Sequence, residues 1–238
     1  MINNCLIINM DHRTDLWENL TSFRDSWKAS GNVWHRISGT CYANKPCILN
    51  QYIIANRINL NGNGFRINKT SFLGELGCYD SHYNCWKYIV DNNLKSCLII
   101  EDGITVLRTD FKNMKINDHI DLLYVNEEMK TNSNNEYIGY GTQGYILSLN
   151  GAKKLLELCA TLTAPIDLQL RHICNTKQIN ASVLNKPFVK RDHNRASSIA
   201  GVVLNDQDDL NSKQHPHSMI QRILTGLLEK NINLDEYI

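Results

Sequence analysis

No apolar run in this 238-residue chain approaches the roughly 20 residues a helix needs to cross a bilayer. The N-terminus, MINNCLIINMDHRTD, has an apolar stretch too short for a signal-peptide core, no basic residue ahead of it and no small-residue cleavage site behind it. A cytoplasmic protein without a transmembrane segment is expected. Net charge is nearly absent: 25 Lys and Arg stand against 24 Asp and Glu, leaving +1. That balance gives no general attraction to nucleic acid or anionic lipid, so any anionic ligand must be held by local groups. The 8 cysteines include no CxxC pair, and Cys5, Cys97 and Cys159 fall in apolar patterns where a reduced thiol is a small hydrophobe. Walker A, HExxH and GxSxG sequences are missing, as are internal repeats and low-complexity linkers.

What remains is ordinary globular material, 42% hydrophobic and 21% charged, long enough for one domain with a full core. Strand-like and helix-like runs alternate. Strands are expected over 5–10, 33–37, 97–100, 119–125, 145–149 and 181–184; helices over 15–29, 71–90 with Ser71 as N-cap, 152–159 and 166–174. Such alternation predicts an α/β fold, a mostly parallel central sheet with helices on both faces. Near the C-terminus, residues 218–230 place Met219, Ile220, Ile223, Leu224, Leu227 and Leu228 on one helical stripe. Such a helix packs on its own domain or forms a homo-oligomer surface.

Two candidate motifs lose their appeal in context. GYGTQG at 139–144 has the spacing of a dinucleotide fingerprint, but its glycines precede a strand instead of following one and opening a helix. His215 and His217 in QHPHS lack a Cys or acid at metal-ligand spacing. The pair Glu101 and Asp102 is different. It ends the apolar run CLII, at the carboxyl end of an expected central strand, where open α/β sheets place their ligands. Adjacent carboxylates repel, so this pair is either a solvated turn with Gly103 or a hard-metal site. Asn9, Asp11 and Arg13 end the first strand, and Asp80 and His82 lie on the helix before the acidic strand. Tyr83 and Trp86 fall on the apolar stripe of that helix and read as core, while His82 lies off it.

Five blocks, IINMDHRTDLW, GELGCYDSHYNCWKYIV, CLIIEDG, GYILSLNGAKKLLE and PIDLQL, in this order and spacing, resemble glycosyltransferase family 25. The resemblance implies a GT-A fold, a Rossmann-like nucleotide half merged with an acceptor half, and an enzyme using a UDP-sugar donor, usually UDP-galactose, with Mn²⁺ or Mg²⁺. It places Asn9, Asp11 and Arg13 at the nucleotide and Glu101 and Asp102 at the metal and diphosphate, and it makes Asp167 of PIDLQL an active-site residue. Asp80 and His82 fall within the blocks as further donor-site candidates. Since an inverting transfer needs a carboxylate to take the proton of the acceptor hydroxyl, Asp167 is the candidate base. An N-terminal helix acid stabilised by the dipole is its other reading. The acceptor is a hydroxyl of a glycan or protein. Lys190, Arg191, His193 and Arg195 supply a basic loop near the diphosphate or a solvated surface. Two positions depart from the family pattern: Gly103 replaces the third acid of its Glu-Asp-Asp triplet, and Leu16 replaces an arginine. They leave open a second class of function, a glycosyltransferase-like binding or scaffold protein without turnover.

Overall fold

The computed structural model describes residues 2–42, 69–110 and 116–192. The predicted helix at 218–230, together with His193, Arg195, His215 and His217, lies outside the described residues.

A six-stranded sheet forms the centre of the fold. Its strands are β1 (Asn4–Asn9), β2 (Val33–Ser38), β3 (Ser96–Glu101), β5 (Leu122–Tyr124), β8 (Gly144–Ser148) and β9 (Ala181–Val183). They lie in the order β2-β1-β3-β8-β5-β9. Pairing is parallel for β1 with β2, β1 with β3 and β5 with β9; β8 runs antiparallel to both its neighbours. The expected α/β architecture is present, with one reversed strand. Two short ladders flank the sheet, β4 (Ile104–Val106) with β10 (Val189–Arg191) and β6 (Lys130–Thr131) with β7 (Tyr137–Ile138).

Helices cover both faces, and strand alternation decides which residue meets which helix. Leu6, Cys97, Ile99, Tyr145 and Leu147 point to one side. There they pack with Leu76, Tyr79 and Trp86 of α3 (Lys69–Asp91), Leu155 of α4 (Leu149–Leu158) and Leu170 of α5 (Ile166–Asn175). Cys5, Ile7, Leu98, Ile100 and Ile146 point to the other side, against Leu20, Phe23 and Trp27. These come from α2 (Thr21–Ala29) and the residue joining it to α1 (Thr14–Asn19). The central strands are buried on both faces, so they read as continuous apolar runs. Burying each Leu or Ile fully contributes about 1.5–3 kcal/mol.

Most ends of the expected elements fall within one residue of the sequence expectation, and four places depart further. The helix predicted over 15–29 is two helices meeting at Leu20. The helix predicted to be capped by Ser71 begins earlier, at Lys69. The helix predicted from 152 starts at Leu149, because the Ser148 hydroxyl caps it by accepting the Gly151 N–H at 3.0 Å. The strand predicted over 119–125 shrinks to Leu122–Tyr124, since the Ile120 N–H bonds back to the Asn117 carbonyl in a turn.

Candidate functional site

After β1 the chain adds β2 on one side and, through α3, returns to add β3 on the other. The β1/β3 junction is therefore a topological switch point, and the crevice outside the carboxyl ends of two such strands is the favoured ligand position. Asn9 ends β1 and Glu101 ends β3 at that junction. β8, being reversed, brings its first residue, Gly144, to the same edge opposite Ile100.

Alternation then separates the two acids. Glu101 continues the row of Cys97 and Ile99 toward α3, and Asp102 continues the row of Leu98 and Ile100 toward the α1 and α2 side. Their partners follow that division. The Asn9 amide donates to Asp102 Oδ2 at 2.7 Å and to the Arg13 carbonyl at 3.0 Å. On its other side, the Arg36 guanidinium donates to Asn9 Oδ1. An arginine only donates, so this contact fixes which end of the Asn9 amide faces Asp102. Arg36 also lies 3.7 Å from Asp11 and 4.8 Å from the centre of the Trp17 ring. Asp11 itself is exposed and accepts from the Ser38 hydroxyl at 2.8 Å. The Arg13 guanidinium turns to Asp15 at 3.2 Å. Burial pushes the Asp102 carboxyl above its ordinary pKa, against the pull of its bond from Asn9.

On the α3 side, Glu101 Oε1 accepts from the Thr142 hydroxyl at 2.6 Å and lies 3.2 Å from His82 Nε2. His82 Nδ1 is 2.8 Å from the Tyr145 hydroxyl, which accepts from Trp86 Nε1 at 2.9 Å. Because an indole N–H can only donate, the Tyr145 hydroxyl keeps its own hydrogen for His82 Nδ1. A neutral His82 is then protonated on Nε2 and donates to Glu101. The chain Trp86 to Tyr145 to His82 to Glu101 has one consistent direction. Burial alone would raise the Glu101 pKa, but the bonds from His82 and Thr142 and the charge of Arg191 outweigh it and hold the pKa below its ordinary value.

A sign follows from that depression. The carboxylate contributes stability above the unfolded glutamate value of about 4.3, and the contribution fades as pH falls through the lower folded value. Glu101→Gln should therefore lie furthest below the parent in melting temperature above pH ~5, with the gap closing toward pH ~3. A gap independent of pH would remove the ionised hydrogen-bonded carboxylate from the account.

Asp167 stands in the first turn of α5, with Oδ1 accepting its neighbour's Leu168 N–H at 2.9 Å and Oδ2 accepting the Gly141 N–H at 3.2 Å. It thereby tethers the loop that carries Thr142. In that loop Gly139 and Gly141 have φ of 99° and 100°, a region glycine enters without strain. GYGTQG is thus a turn entering a strand, as its context implied. Asp80, also buried, faces the segment after β2, where the Tyr42 hydroxyl donates to it. Tyr83 and Trp86 pack with the core, as their spacing predicts. Sequence reasoning passed over Arg36, Thr142, Tyr145 and Cys78. For Cys78 a signal existed, since it precedes His82 by one helical turn, and both adjoin Glu101. For Arg36, on an edge strand of mixed polarity, there was none.

The chain has known counterparts. Residues 43–136 match the profile of glycosyltransferase family 25, described as an LPS biosynthesis protein. Human procollagen galactosyltransferase 2 is 34% identical over 104 residues, covering 35% of this chain and 16% of that protein. A Drosophila melanogaster glycosyltransferase 25 family member is 35% identical over 103 residues, covering 35% and 17%. This chain thus spans about one sixth of the length of these curated relatives. A solved glycosyltransferase involved in glycosylating the major capsid of PBCV-1 overlaps 82% of this chain and 95% of its own, at 6% identity and a TM-score of 0.48.

Proposed function

We propose that this chain, similar to glycosyltransferase family 25 in its five motif blocks and across residues 43–136, transfers a hexose from a UDP-sugar to a hydroxyl of a glycan or protein. The observation that carries this reading is the Asn9–Asp102 bond across the β1/β3 switch point, flanked by Arg36 and Arg13. It offers a nucleotide donor a polar strand edge with amide and guanidinium donors, in a chain whose overall charge of +1 gives no general attraction to anions. The curated relatives named procollagen galactosyltransferase support galactose as the sugar and a protein hydroxyl as one acceptor.

In this reading the two faces of the sheet divide the work. Asn9, Asp11, Arg13, Arg36 and Asp102 hold the donor; Glu101 and Asp167, with Thr142 between them, face the acceptor. An inverting displacement needs a carboxylate that takes up the acceptor proton. Glu101 is a weak candidate, because its bonds favour the ionised form. Asp102 is 7% exposed and committed to Asn9. Asp167, half-buried and aimed by two backbone N–H groups, is the proposed base.

A hard cation such as Mn²⁺ or Mg²⁺ calls for several oxygen ligands on one side. Glu101 and Asp102 do not fit that demand as a pair, because they leave the strand on opposite faces and bind separate partners. This divergence, with Gly103 in place of an acid, favours the second reading, a binding protein for a sugar nucleotide without turnover. A cytoplasmic location is proposed on the thiols: all seven cysteines among the described residues are unpaired, as in a reducing compartment. Alkylation and mass measurement without reductant should find them free, and disulfides there would overturn the location.

A thermal-shift titration with UDP, UDP-galactose and UDP-glucose tests the donor site, since a ligand that binds only the folded state raises its stability. The parent should shift; Asp102→Asn should shift much less. Asp167→Asn should keep the shift and lose about 10²–10⁴-fold in turnover, the contribution of a general base. A normal shift with no transfer to any tested acceptor would favour the binding protein. No shift with any of the three ligands would overturn the donor site.

A further inference from the structure

We infer that Cys78, His82 and Glu101 form a binding site for a divalent transition metal of borderline softness, zinc(II) or cobalt(II) in class, separate from any hard-cation site at the diphosphate. One ligand atom from each lies within 4.8 Å of the others. Cys78 and His82 are one turn apart on α3 and so share a face, and Glu101 reaches them from the end of β3. Thiolate, imidazole and carboxylate together select zinc or cobalt over Mg²⁺ or Mn²⁺, which prefer oxygen alone. Three protein ligands leave a tetrahedral ion one open position. The Glu101 side chain is 26% exposed, so that position has access from the carboxyl edge of the sheet.

The surroundings are those of a supported site. A metal-bound histidine is oriented by a partner on its other nitrogen. His82 has one in the Tyr145 hydroxyl at 2.8 Å, which Trp86 holds in turn. The Thr142 hydroxyl orients Glu101 and lies 3.9 Å from the Cys78 sulfur. Without a cation, burial first, and then the charges of Glu101 and Asp167, push the Cys78 thiol well above its ordinary pKa. A dication at the centre of these groups offsets both effects. Loading is balanced by one proton: the Cys78 thiol releases its hydrogen to solvent, and the imidazole hydrogen passes from Nε2 to Nδ1. The Tyr145 hydroxyl then turns from donor to acceptor. Binding accordingly strengthens as pH rises, in line with the thiol proton it displaces.

The test uses the whole chain, freed of metal by chelation and titrated with Co²⁺ in the absence of any sugar nucleotide. The expected result is one equivalent bound with a thiolate-to-cobalt charge-transfer absorption, removed by Zn²⁺ and unaffected by equimolar Mn²⁺. Cys78→Ser should lose that absorption, and Cys41→Ser, which removes an exposed thiol elsewhere, should keep it. His82→Gln and Glu101→Gln should keep the thiolate band while weakening binding about tenfold or more. A parent that shows no thiolate band at saturating Co²⁺ overturns the site. A band surviving in Cys78→Ser, or unchanged affinity in both His82→Gln and Glu101→Gln, overturns it equally. These spectra are read without donor or acceptor, so they stand or fall apart from sugar transfer.

Discussion

Gly77→Ala is expected to lower stability by about 1–3 kcal/mol, the range for overpacking a close contact. Helix propensity alone points the other way, since alanine is favoured over glycine in a helix interior by about 0.8–1 kcal/mol. Gly77 lies within α3, and a Cβ built there falls 2.4 Å from the Thr40 carbonyl oxygen and 3.3 Å from its carbonyl carbon. Both are backbone atoms, and no rotamer change relieves them. The same approach is stitched by the Ser81 hydroxyl, which accepts the Thr40 N–H at 2.9 Å and donates to the Gly77 carbonyl at 2.7 Å. Relief would require moving α3 away from the segment after β2, and α3 carries Cys78 and His82. The variant should show a lower urea midpoint together with weaker Co²⁺ binding. An unchanged or raised midpoint would mean that the segment gives way at no cost.

Gly103→Asp is expected to do the opposite, folding as the parent does and gaining a response to Mn²⁺. A Cβ at Gly103 meets nothing within 4 Å, and the backbone there does not occupy the left-handed region. A carboxylate at this position supplies the third acid of the family 25 pattern that the motif blocks resemble, next to a pair that by itself sends one acid to each face. An ion at about a hundred times its Kd adds about 2.7 kcal/mol to folding stability. For a chain of this size, that corresponds to a rise in melting temperature of roughly 5–11 °C, at about 2–4 °C per kcal/mol. The measurement is the Mn²⁺-dependent shift of the variant minus that of the parent, with and without UDP. No difference would show that an acid at this position does not complete a hard-cation site.

Much of the fold was legible because its signals are local. The runs CLII at 5–8 and CLII at 97–100 are unbroken by polar residues, as suits a strand covered on both faces, and both became central strands. Leu76, Tyr79 and Trp86 of α3 fall at helical spacing, and all three are buried. The reversal of β8 was not legible. The run YILSL is equally apolar in either direction, and its direction is fixed by partners far away in sequence.

The site was legible in part for the same reason. Asn9 and Asp102 were identifiable as strand-end residues, but their bond depends on the in-register parallel pairing of β1 with β3. The separation of Glu101 from Asp102 followed in principle from strand alternation. Treating the two as a motif concealed it. Thr142 was set aside with the glycines around it, because GYGTQG was judged as a nucleotide fingerprint and not as the approach to a reversed strand. Tyr145 and Trp86 resembled core aromatics and are core aromatics. Their polar tips find partners only once α3 is laid across the sheet.

The reversed strand sets how this edge of the protein can vary. In an all-parallel sheet, every segment at the carboxyl edge is an exit that must lead into a helix, so its length is tied to the next crossover. β8 enters from that edge instead, and the chain ahead of it, from Asn126 to Gln143, is tied to β10 at Asn126–Glu128 and beyond that carries the small β6–β7 ladder. That stretch forms one rim of the crevice through Thr142 and leaves Asn9, Arg36 and Asp102 untouched on the other face. Insertions or deletions there can reshape what docks beside Glu101 and Asp167 at little cost to the opposite rim. Under the proposed transfer, acceptor preference is thereby free to drift while donor choice stays fixed.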